Sequence, residues 1–208
     1  MLRGTGRFLG SGNFAKNGEG TRIMGVDPGL VVTGFGVIEI GRNGSILYCG
    51  SGVVRPQRLE SFPQRLQQIF HGLGEQIEKF APELMAIENP FYAKNVKSAM
   101  LLGQARGVAI LAAAEASVEV QEYSPLEVKQ AVVGYGRAAK EQVQAMIRSL
   151  LNPPQNLTAD AADALAVALC LAHSVPWQIS LSKLGAQRSI SKPPRRTSAK
   201  KIALGDGT

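Results

Sequence analysis

Cysteine and long apolar runs are scarce in this chain of 208 residues. The two cysteines, Cys49 and Cys170, lie far apart and have no metal-ligand spacing, so we predict free thiols in a reducing cytoplasm. We expect no apolar run to reach the length of a membrane span, and residues 1–20 lack the apolar core of a secretory signal. We therefore expect neither a membrane partner nor export.

What is present suffices for one packed domain. The chain is 45% hydrophobic and of ordinary charge content. Residues 1–20 are rich in glycine and have no periodicity, and residues 176–208 are polar and basic. We expect both ends to be disordered and place a single domain at residues 21–175.

The positive charge is concentrated at the two ends of the chain. Residues 176–208 contain seven Lys or Arg and one Asp. Residues 1–20 contain three Lys or Arg and one Glu. Of the net charge of +7, this leaves −1 for residues 21–175. A near-neutral body with basic ends favours a nucleic-acid partner, although a solubilising tail would give the same pattern.

Hydrophobic periodicity predicts an alternation of strands and helices. Short turn segments separate the first three strands, which indicates antiparallel hairpins. In the helix after the fourth strand, Gly103 and Gly107 are expected to permit close approach of another element. Thr158 is a candidate N-cap for the last helix. The predicted strands are residues 22–26, 33–40, 45–54, 84–88 and 118–123, and the predicted helices are residues 62–80, 96–116, 125–132, one around 143–150 and one ending at 173.

Two of the short apolar runs end in an acid. Residues 23–26 lead to Asp27, which Pro28 and Gly29 follow, and residues 84–87 lead to Glu88. Aspartate is a poor strand residue, so an acid at this point suggests a functional position. For Asp27 alone, an ordinary turn aspartate is the alternative.

Two further acids, Asp160 and Asp163, are three residues apart at the start of a helix that is apolar nearly all round. Both could simply complement the helix dipole, which is worth about 0.3–1 kcal/mol each. Because no Lys or Arg lies within residues 156–175, the sequence offers no local counter-charge. A divalent cation would supply one, and an all-carboxylate set favours Mg²⁺ or Mn²⁺ over zinc. Together with Asp27 and Glu88, the pair could hold two ions roughly 3.5–4 Å apart for attack of water on a phosphodiester.

Several separate motifs, taken in order, resemble the RuvC family of bacterial Holliday-junction resolvases. The resemblance covers roughly residues 22–173. It rests on the Asp-Pro-Gly turn at 27–29, Ala-Ile-Glu at 86–88 before Phe-Tyr-Ala-Lys-Asn at 91–95, Leu-Gly-Gln-Ala-Arg-Gly at 102–107, Val-Lys-Gln-Ala-Val-Val-Gly at 128–134 and Ala-Asp-Ala-Ala-Asp-Ala at 159–164.

This resemblance implies an α/β fold of the RNase H-like type, with a mixed five-stranded sheet flanked by helices. It also implies a homodimer that binds a four-way DNA junction and nicks two strands symmetrically, using Mg²⁺; whether branch-migration helicase subunits deliver the junction is left open. By position, the family's metal-binding carboxylates fall on Asp27, Glu88, Asp160 and Asp163. The aromatic that stacks on unpaired bases falls on Phe91, and the DNA-contacting lysines fall on Lys129 and Lys140.

Three other functions share parts of the pattern. A non-specific or RNA-directed nuclease would use the same carboxylates without needing the Phe91 loop or a dimer. An actin-like or sugar-kinase ATPase also begins with an Asp-x-Gly turn, but it needs two such domains and the chain shows no second copy. A junction-binding module without catalysis is disfavoured because all four acids are present.

Overall fold

The computed structural model describes residues 20–41, 43–89 and 96–188, and for residues 175–188 it describes the backbone alone. The chain divides into two units, Met1–Ser174 and Val175–Thr208. The contacts given below lie within the first unit. Its strands are β1 (Thr21–Asp27), β2 (Thr33–Ile40), β3 (Ile46–Val54), β4 (Leu84–Glu88) and β5 (Glu119–Tyr123).

The five strands form one mixed sheet in the order β3-β2-β1-β4-β5. β1 pairs with β2 and β2 with β3 in antiparallel fashion, which confirms the predicted hairpins. β4 lies parallel to both β1 and β5. The carboxyl ends of β1 and β4 therefore meet at the same edge of the sheet.

The helices are α1 (Phe62–Phe80), α2 (Val96–Glu115), α3 (Pro125–Val133), α4 (Lys140–Leu151) and α5 (Ala159–Arg188). α3 begins at a capping box in which the Ser124 hydroxyl accepts from the Glu127 N–H and the Glu127 carboxylate accepts from the Ser124 N–H. At the start of α5, the Thr158 hydroxyl accepts from the Ala161 N–H, as an N-cap should.

One face of the sheet is covered by α1 and α2. Their buried residues, among them Ile69, Leu73 and Ala109, form one core with side chains from β1, β2 and β4. Since side chains alternate along a strand, Met24 and Val26 enter this core and Asp27 points to the other face. Met85 and Ile87 enter it in the same way, and Glu88 points away from it.

Glycines on the opposite face form a backbone seat for α5. A Cβ at Gly25 would lie 2.0 Å from the Ala164 carbonyl oxygen, and one at Gly34 would lie 2.1 Å from the Asp160 carbonyl oxygen. These distances leave no room for a methyl group, so the first turns of α5 rest directly on the backbone of β1 and β2. This contact sets the position of the acids that α5 carries.

Two predictions about the helices were wrong, and a third found no support within the described chain. α5 does not end at His173 but continues to Arg188, and it includes both Pro176 and Gly185. Nothing in the described chain approaches within 4 Å of a Cβ built at Gly103 or Gly107. Contrary to the expectation that no apolar run is long enough, α2 could cross a membrane by its length and composition; its buried alanines pack into the core beside the sheet.

Candidate active site

Strand register brings the first two acids together. β1 and β4 pair in parallel with Val26 opposite Ile87, so the residues that follow, Asp27 and Glu88, leave the sheet side by side. Both side chains line one cavity of about 310 Å³ on the α5 face. The structure thus places the two strand-end acids in one site.

The third acid, Asp163, reaches the same cavity from α5. Two lysines complete its polar lining: Lys129 from α3 and Lys140 from the first residue of α4. Asp160 is not among the lining residues, although its charge contributes to raising the pKa of Asp27. The apolar part of the lining consists of Pro125, Val128, Val143 and Ala166.

The electrostatics of the site oppose the ionisation of its acids. Burial, together with the neighbouring charges of Glu88 and Asp163, raises the pKa of Asp27 to about 7, and Lys140 opposes this shift. Burial and the charge of Asp163 likewise raise the pKa of Glu88, while Lys140 and Lys129 lower it. Carboxylates held close together at such a cost are typical of functional sites.

Lys140 supplies a counter-charge that the sequence did not reveal. Its Nζ lies 2.5 Å from Asp163 Oδ2, and this hydrogen bond raises the pKa of Lys140. The sequence offers Asp160 and Asp163 no local partner within residues 156–175. The partner of Asp163 comes instead from α4 through tertiary folding.

The donor set suits a hard divalent cation. Three carboxylates line the cavity and none of its lining residues is His or Cys, so Mg²⁺ or Mn²⁺ matches the site and zinc does not. As the side chains stand, no three His, Cys, Asp or Glu in the described part of the chain are arranged to hold an ion. Asp163 is instead paired with Lys140. Opening of this ion pair would free Asp163 Oδ2 for a cation.

The remaining predicted site residues have different outcomes. Lys129 lies in the cavity and is half-buried, so the structure brings it to the carboxylates. Phe91 lies outside the described residues, and its stacking role stays a prediction. Arg106 of α2 forms an ion pair with Glu122 of β5. No spacing in the sequence indicated that pair, because α2 and β5 meet only in the fold.

Comparisons with known proteins support the family resemblance seen in the sequence. The family model described as "Crossover junction endodeoxyribonuclease RuvC" matches residues 23–171. A crossover junction endodeoxyribonuclease RuvC of Citrifermentans bemidjiense is 51% identical over 152 residues, which cover 73% of this chain and 92% of that protein.

Two solved structures agree with the fold. T. thermophilus RuvC, in complex with a Holliday junction substrate, superposes with a TM-score of 0.69 at 33% identity, over 77% of this chain and 96% of that one. The yeast mitochondrial Holliday junction resolvase Ydc2 has a TM-score of 0.57 at 14% identity, over 82% of this chain and 85% of that one, which shows the shared fold alone. The predicted RNase H-like fold is thereby confirmed. The family match over most of the described domain and the identity of about half to its relatives show that this chain belongs to the RuvC family of crossover junction endodeoxyribonucleases.

Proposed function

We propose that this protein resolves four-way DNA junctions by symmetric, metal-dependent hydrolysis of two phosphodiester bonds. The observation that carries the proposal is the convergence of Asp27, Glu88 and Asp163 on one cavity beside two lysines. Family membership points to junction DNA as the substrate, because the T. thermophilus relative is described with a Holliday junction. The nuclease would act during recombination and repair.

Asp27, Glu88 and Asp163, with Asp160 at the adjoining turn of α5, would hold Mg²⁺, two ions per subunit; Mn²⁺ prefers the same oxygen donors and is expected to substitute. When bound, the ions supply an activated water and stabilise the leaving oxygen. The protein contributes a buried cavity that holds these carboxylates close together, where burial and their mutual repulsion oppose ionisation until a cation compensates the charge. Their mutual repulsion favours any cation that enters.

The two lysines would hold the DNA strand at the carboxylates. Lys129 is half-buried in the cavity and Lys140 is 56% exposed at its rim. Each can neutralise a phosphate, which makes binding dependent on salt. Opening of the Lys140–Asp163 pair would favour both cation binding and DNA binding, because it frees a carboxylate for the cation and an ammonium group for a phosphate.

An exposed apolar stripe on α2 supports the homodimer. Val96, Met100 and Leu111 are 76%, 62% and 55% exposed, and Gly103 and Gly107 lie between them with no side chain. The five positions recur at intervals of three and four, so they share one helix face. A contiguous apolar face with a shallow groove favours packing against a second copy. A dimer would present two sites to a two-fold junction.

The free thiols Cys49 and Cys170 and a DNA substrate fit a cytoplasmic location, which we include in the proposal.

The decisive experiment offers the protein a synthetic four-way junction and a linear duplex of the same sequence, with and without Mg²⁺. We expect paired nicks in opposite strands of the junction on a denaturing gel, only with Mg²⁺. Cutting of the linear duplex or of RNA at a similar rate would show a non-specific nuclease instead. No cutting of any substrate would refute the proposal.

A set of variants separates cutting from binding. Asp27→Asn, Glu88→Gln, Asp160→Asn and Asp163→Asn should each abolish cutting but leave a gel shift with the junction in EDTA largely intact. Glu75→Gln removes one exposed carboxylate from α1 and should change neither. An acid whose variant still cuts at the normal rate does not belong to the mechanism.

A further inference from the structure

Two arginines, one from α2 and one from α1, are linked to the chain just after the two strand-end acids, Arg106 through Glu122 and Arg65 directly. Arg106 of α2 forms an ion pair with Glu122, whose other carboxylate oxygen accepts from Asn89 Nδ2 at 2.8 Å. Asn89 directly follows Glu88. Arg65 of α1 donates from Nη2 to the Leu30 carbonyl oxygen at 2.5 Å, three residues after Asp27.

The contacts around Asn89 fix the direction of Glu88. The Asn89 N–H donates to the Tyr123 carbonyl oxygen at 2.8 Å and continues the β4–β5 ladder one residue past the strand. The Asn89 side chain is held on the α2 face by Glu122. Since successive side chains of a strand point to opposite faces, Glu88 is directed to the α5 face, where Asp27 and Asp163 lie.

The turn after Asp27 is held in a corresponding way. The buried Thr33 hydroxyl donates to the Gly29 carbonyl oxygen at 2.8 Å and accepts from the Gly29 N–H. Arg65 then attaches this turn to α1. Asp27 is therefore held by β1 on one side and by a fixed turn on the other.

The burial of Arg65 and Arg106 carries a cost that packing alone does not explain. In the described chain, the buried side-chain polar atoms without a hydrogen-bond partner are Nε of Arg65 and Nε of Arg106. A partly buried arginine with an unsatisfied nitrogen is a costly way to stabilise a fold. The two acids also repel each other, so without restraint their strand ends would move apart.

We propose that Arg106, acting through Glu122 and Asn89, and Arg65, acting through Leu30, are positioning residues that hold Glu88 and Asp27 in the cavity from the opposite face of the sheet. The inference rests on the proposed nuclease function. It assigns a role to the α1/α2 layer in addition to its role as core.

The first test compares Asn89→Ala, Arg106→Met and Arg65→Met with Arg22→Met. Arg22 is a matched control: it also pairs with a glutamate, Glu39, and with a backbone carbonyl, but at the far end of β1. We expect kcat for junction cutting to fall about tenfold or more in the first three variants, because small displacements of reacting groups are costly. Junction affinity in EDTA should change less than twofold. Arg22→Met should lose thermal stability without losing kcat.

The second test does not depend on cutting. Hydrogen exchange of the metal-free protein should show faster exchange of the Asn89 amide in Arg106→Met than in Arg22→Met, at equal global stability. The double variant Asn89→Ala/Arg106→Met should lose no more kcat than the worse single variant, since both act along one path. Arg106→Lys should restore part of the rate.

The outcomes are distinct. Rates within twofold of wild type in Asn89→Ala and Arg106→Met, or rate losses that merely follow melting temperature as in Arg22→Met, would overturn the positioning role. If Arg106→Met does not fold, Asn89→Ala alone decides. If the wild-type protein cuts no junction, the proposed function fails, whereas unchanged Asn89 exchange in Arg106→Met refutes the positioning role by itself.

Discussion

Replacing Asp27 with asparagine should stabilise the metal-free protein at alkaline pH while it destroys the proposed activity. The Asp27 carboxyl has its pKa raised to about 7 by burial and by Glu88 and Asp163. Between about pH 4 and about pH 7, the folded protein keeps the Asp27 proton, whereas the unfolded chain has already released it. Stability is therefore lost as pH rises from about 4 to about 7, and the full penalty applies above pH 7.

The size of the effect follows from the shift. A pKa change of about three units corresponds to about 4 kcal/mol, which is an upper limit for the gain on neutralising the side chain at pH 8. The asparagine amide must itself find partners, so part of this gain is lost. For a domain of this size, the change in melting temperature would be on the order of ten degrees at most.

The assay is thermal unfolding in EDTA, followed by circular dichroism at pH 5 and pH 8. The stability difference between Asp27→Asn and wild type should grow from the lower to the higher pH. Glu75→Gln, an exposed acid on α1, should show no such growth. Equal or lower stability of Asp27→Asn at pH 8, or a difference that does not change with pH, would refute the reasoning.

Four further predictions concern other parts of the molecule. Lys140→Met removes the cation that competes for Asp163, so Mg²⁺ should bind up to about fivefold more tightly by calorimetry, and weaker binding would contradict this. Leu111→Glu should convert a dimer to a monomer in light scattering, whereas Leu59→Glu, at a fully exposed residue, should not. Phe91→Ala should slow cutting more than it weakens junction binding; equal losses would indicate a packing role. Deletion of residues 176–208 should flatten the dependence of log affinity on log salt by up to about 6, and an unchanged slope would show that the tail does not contact DNA.

Much of the fold could be predicted because local signals agreed with the tertiary structure. The helix at Phe62–Phe80 and the strands at Thr33–Ile40 and Leu84–Glu88 have the predicted bounds. Apolar runs with an acid at the end were enough to place Asp27 and Glu88 each at the end of a strand. The parallel pairing of β1 and β4, which the spacing did not show, brought both acids to one edge of the sheet.

The contacts that were missed join residues distant in sequence. Lys140 pairs with Asp163 and Arg106 with Glu122, and neither spacing carries a periodic signal. The expected approach of another element at Gly103 and Gly107 was not found among residues 20–41, 43–89 and 96–188, because a glycine indicates room without indicating what fills it. Sequence patterns thus located the acids, whereas their counter-charges and supports required the fold.

The glycine seat beneath α5 has a consequence for comparing nucleases of this kind. A methyl group added at Gly25 would meet the Ala164 carbonyl oxygen and lift the whole start of the helix, which carries Asp160 and Asp163. Such a chain would keep every acid but displace two of them from the positions that the proposed mechanism needs. A search of genomes for intact carboxylates alone would still count it as active, so position 25 should be read together with the acids.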